Sequence, residues 1–201
     1  MTTLDMVVSR ATEKLKAIGF KKKAGNVYIF EPAKGFLGWL GLNHASREGV
    51  VEINPVVGVK SQELENLLSS LLLEKPHPYL TPTISISLGY LMPEECYRAW
   101  FFKNEIDLPQ VANLVEAVGL YGVPFINSSI TIEALEQYLK SPKYAHIEHS
   151  MYRIPLARFL LGDKVNALNL CQQYLSGLGN RTDLAANRYR RYEKAFMELL
   201  K

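Results

Sequence analysis

Apolar positions spaced by four and three residues open the chain. Leu4, Val8, Ala11, Leu15 and Ile18 fall on one stripe of a helix, and Gly19 closes it. The lysines at 21, 22 and 23 follow directly, beside the partly negative end of that helix, where cations are favoured. The expectation is a solvated corner. Gly19 and Gly25 lack the Lys-Ser/Thr pair that a phosphate cradle needs.

Beyond Gly25 the period changes. Residues 27–30 (VYIF), 36–44 (FLGWLGLNH) and 50–59 (VVEINPVVGV) are rich in β-branched and aromatic side chains and are parted by turn-forming stretches, so they predict an antiparallel meander. Pro55 cannot donate to a ladder and places its strand at an edge or at a bulge. A helix follows, capped by Ser61 and striped by Leu64, Leu67, Leu68, Leu71 and Leu72. After the proline-rich residues 75–82, Ile84, Ile86, Leu88 and Tyr90 alternate with small polar residues as a half-buried strand does. Residues 96–102 (CYRAWFF) read as a fifth strand, with aromatic side chains on both faces and therefore covered twice.

From residue 104 onward the helical period takes over. Asp107 and Gln110 resemble a capping box ahead of Val111, Leu114, Val115 and Val118, a stripe that Gly119 and Gly122 should end. A short helix carries Ile132, Leu135 and Leu139 and stops before Pro142. Residues 154–175 read as helix, Gly162-Asp163 corner, helix, and a last helix carries Ala185, Tyr189, Tyr192, Phe196 and Leu199. That pair is similar to one tetratricopeptide unit, without a repeat to extend it. The fold class is α+β: an antiparallel sheet of about five strands packed on the first two helices, with a C-terminal all-helical portion. The corresponding division is a sheet domain over residues 1–103 and a helical portion over residues 104–201, packed on it or continuous with it.

Composition narrows the function. A chain of 201 residues that is 48% hydrophobic can build a sizeable core, and a net charge of +3 is well short of a dedicated nucleic-acid binder. Only two cysteines occur, with no apolar run long enough to span a membrane and no basic start leading into an apolar signal core. A cytoplasmic protein with free thiols, away from membranes, is expected. His146 and His149 are three residues apart and could share a metal on a helix, but no local motif supplies further ligands; no metal and no cofactor are expected. His44 and His77 stand alone, and no catalytic spacing is visible. Arg188, Arg190 and Arg191 surround the tyrosines of the last helix and form the best candidate polyanion site, although the tyrosines fall on its packing stripe.

Leu15–Phe30 (LKAIGFKKKAGNVYIF), a tryptophan in the second strand, a strand leading into an amphipathic helix, and Ala99–Ile126 (AWFFKNEIDLPQVANLVEAVGLYGVPFI) follow in that order. Over roughly residues 11–140 this order resembles a group of small bacterial α+β proteins, many encoded beside toxin genes and taken to be immunity proteins. The resemblance implies a non-catalytic module that blocks a protein partner, a cognate toxin, by occupying its surface. The basic balance departs from nuclease inhibitors, which present acidic faces, so such a toxin need not be a nuclease. Candidate contact residues are Trp39, Trp100, Arg188, Arg190 and Arg191, since Trp and Arg supply many interface hot spots. Trp39 is the better tryptophan, flanked by Gly38 and Gly41 and sharing a strand face with Leu37 and Asn43. The alternatives are a small-molecule enzyme with a site assembled from distant residues, or weak nucleic-acid binding through the basic last helix.

Overall fold

The computed structural model describes residues 2–200. Helix α1 (Thr3–Ala17) starts at a reciprocal cap: the Thr2 hydroxyl accepts from the Asp5 amide at 3.2 Å, and the Asp5 carboxylate accepts from the Thr2 amide at 2.9 Å. Its buried stripe is Val7, Val8, Ala11 and Leu15. The chain then forms β1 (Lys21–Ala24), β2 (Val27–Ala33), β3 (Phe36–Arg47) and β4 (Val50–Ser61). After α2 (Gln62–Leu71) come β5 (Ile84–Ser87) and β6 (Trp100–Phe102). All of the registered pairs are antiparallel, and the strand order is β1-β2-β3-β4-β5 with β6 also on β4.

The sheet has six strands rather than about five, because the lysine run is itself a strand: Lys21 and Lys22 pair with Ile29 and Tyr28 of β2. The solvated reading holds, since β1 is exposed along its length, but the corner is a ladder. Lysine is a poor strand former, and here the partner strand supplies what the side chains do not. β4 is an interior strand. It pairs with β6 through Val51–Ile53 and with β5 through Val56–Val59, and Pro55 falls between these two registers. The Asn54 side chain ties the seam, donating to the Ser87 hydroxyl at 2.9 Å and to the Arg98 carbonyl at 2.7 Å.

One face of the sheet is covered by helices. The Tyr28 hydroxyl meets Thr12 of α1 at 2.8 Å, and Phe30 packs edge-on against Phe20. The second cover is a continuous helical stretch: α3 (Gln110–Ala117), one π turn over Val118–Gly122, and α4 (Val123–Asn127). Gly119 and Gly122 were expected to end it, yet the chain runs through both. Gly122 is there for approach, since a Cβ on it would lie 3.0 Å from the Val57 side chain in the sheet. The π turn precedes Pro124, which has no amide hydrogen for a regular turn. Asp107 is no capping box either: its carboxylate accepts from the Lys103 amide at 2.7 Å, and α3 begins at Gln110 with no side-chain cap.

The chain divides into two compact units. One holds residues up to Lys60 together with Tyr79–Ile130; the other holds Ser61–Pro78 and the chain from Thr131 onward. The sequence reading had one boundary near residue 103 and assigned α2 to the sheet. Instead Leu64 and Leu68 of α2 enter a core with Tyr152, Leu156, Ala167, Tyr189, Tyr192 and Phe196. An apolar stripe says that a helix must pack; it does not name the partner. This helical unit contains α2, α5 (Ile132–Leu139), α6 (Ile147–Leu160), α7 (Lys164–Leu178) and α8 (Leu184–Leu200). α6 begins seven residues earlier than Ile154, so Pro155 lies inside it. Two hydroxyls of α8 reach across: Tyr189 to the Met151 carbonyl at 3.4 Å and the Cys171 carbonyl at 3.3 Å, Tyr192 to the Tyr152 carbonyl at 2.8 Å. Among the described residues, no helix is long and apolar enough to cross a membrane.

Candidate partner-binding surface

Strand alternation sorts the side chains of the sheet into two faces. Val51, Ile53, Val57 and Val59 of β4, Ile84 and Ile86 of β5, and Trp100 and Phe102 of β6 are buried beneath the helical cover. Glu52 stands opposite Phe101 on the other face. There Phe101 is 53% exposed and Tyr97, just before β6, is 57% exposed. The Tyr97 hydroxyl donates to the Glu52 carboxylate at 2.5 Å, which fixes the ring beside β4 and raises the Tyr97 pKa above its ordinary value. Arg98 goes with the other row: its guanidinium lies 5.6 Å from the Trp100 ring centre and pairs with Glu94 at 3.7 Å. The expectation that residues 96–102 are covered on both sides is therefore corrected. Their aromatic character marks one buried row, Trp100 and Phe102, and one exposed row, Tyr97 and Phe101.

The two tryptophans diverge. Trp100 is 7% exposed and belongs to the core of the sheet unit, so it offers no contact surface. Trp39 is half-buried on the same face as Glu52 and Phe101. Its ring lies over Gly41, whose missing side chain leaves the space for it, and its indole nitrogen donates to the Tyr79 carbonyl at 2.8 Å. The buried Lys60 ammonium donates to the Leu80 carbonyl at 3.1 Å, and the Lys23 ammonium sits 5.2 Å from the Tyr79 ring centre. The 79–80 segment is thus strapped across this side of the sheet. Beside it Trp39 forms one wall of an open groove of about 520 Å³, which Asn26, Val27, Asn43 and His44 also line.

The basic cluster on α8 is largely engaged within its own unit. Arg188 forms a forked pair with Glu74, at 2.8 Å to each oxygen, and its guanidinium lies 5.4 Å from the Tyr152 ring centre. Arg190 donates to the Asn187 side chain at 3.2 Å and to the Gly179 carbonyl at 2.9 Å. Arg191 is exposed. Three cations adjacent in sequence do not become one anion-binding face. Tyr189 and Tyr192, beside them in the sequence, are fully buried.

His146 is the N-cap of α6, its Nδ1 accepting from the Glu148 amide at 3.4 Å, and His149 follows in the first turn. Among the described residues, no group of three or more His, Cys, Asp or Glu side chains converges as a metal centre would require. Both cysteines are free; Cys96 is exposed and Cys171 buried. No protein-family model, no curated protein and no solved structure matches the chain. Tyr97 and Phe101 offer a partly aromatic contact surface, with Glu95 close by in the left-handed backbone region and the Tyr97 hydroxyl tied to Glu52. No signal in the sequence separates the exposed row from the buried one, because both are aromatic; only the pairing of Trp100 with Ile53 does so.

Proposed function

We propose that this chain is a non-catalytic protein-binding module, of the bacterial toxin-neutralising kind, that blocks a protein partner by occupying its surface. The observation that carries the reading is the exposed pair of Phe101, on a strand whose other row is buried in the core, and Tyr97, just before that strand. Aromatic side chains held on a stiff sheet lose little entropy on contact, and Tyr with Arg is typical of interface hot spots. The half-buried Trp39 further along the same face extends the contact.

The test is co-expression with whatever toxin-like protein a neighbouring gene encodes, reading growth rescue and co-purification. The wild type should do both. The double substitution Y97A/F101A should lose both while keeping its far-UV circular dichroism, because neither ring supports the core. A wild type that neither rescues nor co-purifies, and instead turns over a metabolite in an activity screen, would refute the reading.

A further inference from the structure

One half-buried carboxylate on the open face of the sheet lacks a counter-charge. Glu52 of β4 accepts from the Tyr97 hydroxyl through Oε1 at 2.5 Å; its second oxygen has no hydrogen-bond partner, and among the described residues no cation pairs with it. Arg98 is taken by Glu94 and lies against the Trp100 ring of the buried row. Arg47, at the end of β3, and Lys103, just after β6, are exposed and make no ion pair with Glu52. Two rings flank the uncompensated charge. Phe101 stands opposite Glu52 in the β4–β6 register, which sets their Cβ atoms about 5 Å apart, and the Tyr97 ring is held alongside by its own hydroxyl. Both rings are more than half exposed.

We infer, resting on the protein-binding reading above, that Glu52, Tyr97 and Phe101 seat an arginine side chain of the partner protein. A carboxylate holds a guanidinium through two parallel N–H···O bonds, and Glu52 keeps one whole oxygen and a lone pair on the other for them. Aromatic faces attract a cation, and a planar guanidinium also stacks on them, which a compact ammonium does not. Tyr97 does not neutralise the site: its hydroxyl contributes a neutral hydrogen and orients the carboxylate. The attraction is local, because the chain as a whole carries +3 and has no general pull on cations.

The experiment is a titration of the full-length protein, followed by two-dimensional amide NMR, with three capped residues: N-acetyl-arginine amide, N-acetyl-lysine amide and N-acetyl-glutamine amide. The arginine probe should shift the amides of Glu52 and Phe101, the lysine probe should shift them less, and the glutamine probe should leave them in place. E52Q removes the charge while its amide oxygen still accepts from Tyr97. With a spectrum otherwise like that of the wild type, it should bind the arginine probe about fivefold more weakly, the upper end for an ion pair at a surface. A wild type with no localised shift, the result expected if Arg47 or Lys103 swings onto Glu52 in solution, overturns the proposal. So do shifts that E52Q leaves unchanged or that all three probes share. The titration needs no partner, so the two readings fail separately: a protein that does not rescue growth but seats the arginine probe loses the toxin-neutralising reading and keeps this site, and one that rescues through Tyr97 and Phe101 but responds to no probe does the reverse.

Discussion

Pro155 interrupts α6, and the interruption makes a quantitative prediction about Tyr189. In a regular helix the amide of residue 155 would donate to the carbonyl of Met151; proline has no hydrogen to give. The Tyr189 hydroxyl, from α8, reaches that carbonyl at 3.4 Å and shares its hydrogen with the Cys171 carbonyl at 3.3 Å. Y189F removes the donor and leaves the Met151 carbonyl without either source. The expected loss is about 1.5 kcal/mol, in the middle of the range for stranding an acceptor, because the bond to the Met151 carbonyl is only part-buried. Tyr192 is the control: the carbonyl it contacts, Tyr152, can also accept from the regular helical amide of Leu156, so Y192F should cost only about 1 kcal/mol. P155A restores an amide at position 155, and in that background Y189F should cost less by roughly 1 kcal/mol. Urea unfolding followed at 222 nm gives all the terms of the cycle. A Y189F cost within roughly 0.5 kcal/mol of zero, or equal costs with and without Pro155, would show that α8 does not complete the bonding of α6.

Three further outcomes follow from the same packing. Burial raises the Tyr189 and Tyr192 pKa values far above 10, so the native state keeps protons that the unfolded chain has lost; the stabilisation is full below about pH 10 and declines above it by about 1.4 kcal/mol per pH unit for each group. Urea midpoints that stay flat between about pH 10 and pH 11 would contradict this. Cys96 should react with a thiol reagent in the native protein, while Cys171, buried and pushed up to about 11 by desolvation, should react only on unfolding; two equally fast thiols would refute the burial. Replacing the β1 lysines, K21S/K22S/K23S, should cost no more than about 1 kcal/mol, most of it the Lys23 contact with the Tyr79 ring, but increase self-association in light scattering, because charge on an edge strand discourages further pairing; a loss of several kcal/mol would sink the exposed-strand reading.

The elements were legible where periodicity reports burial directly. Val8, Ala11 and Leu15 form the buried stripe of α1, and Ile84 and Ile86 are the inward residues of β5. The alternation misled beyond that point, because Leu88–Leu91 turns into a single 3-10 turn. β1 was hidden by composition, since three lysines in a row do not look like a strand until β2 is placed beside them. Partners were less legible than elements. The leucines of α2 fitted either the sheet or the helices, and only the tertiary packing chose α6 and α8. At the candidate surface, the sequence places Trp39 on a strand face with Leu37 and Asn43, and its half-buried ring lies over Gly41, whereas Tyr97 and Phe101 read as covered. Residue type measures how much an aromatic gains from burial, not whether a neighbour arrives to bury it.

The helical unit is built from two stretches of chain far apart in sequence, and this has a consequence for synthesis. Leu68 of α2 and Tyr192 of α8 share a core although they are 124 positions apart. At ribosomal rates of about 5 to 20 residues per second, Leu68 emerges roughly 6 to 25 seconds before Tyr192 does. For that interval the leucine stripe of α2 has no α8 to pack against. A nascent chain arrested before α8 therefore displays a sticky amphipathic helix, the kind of segment that holdase chaperones bind, and the emergence of α8 rather than collapse of the sheet sets the moment at which this core can close.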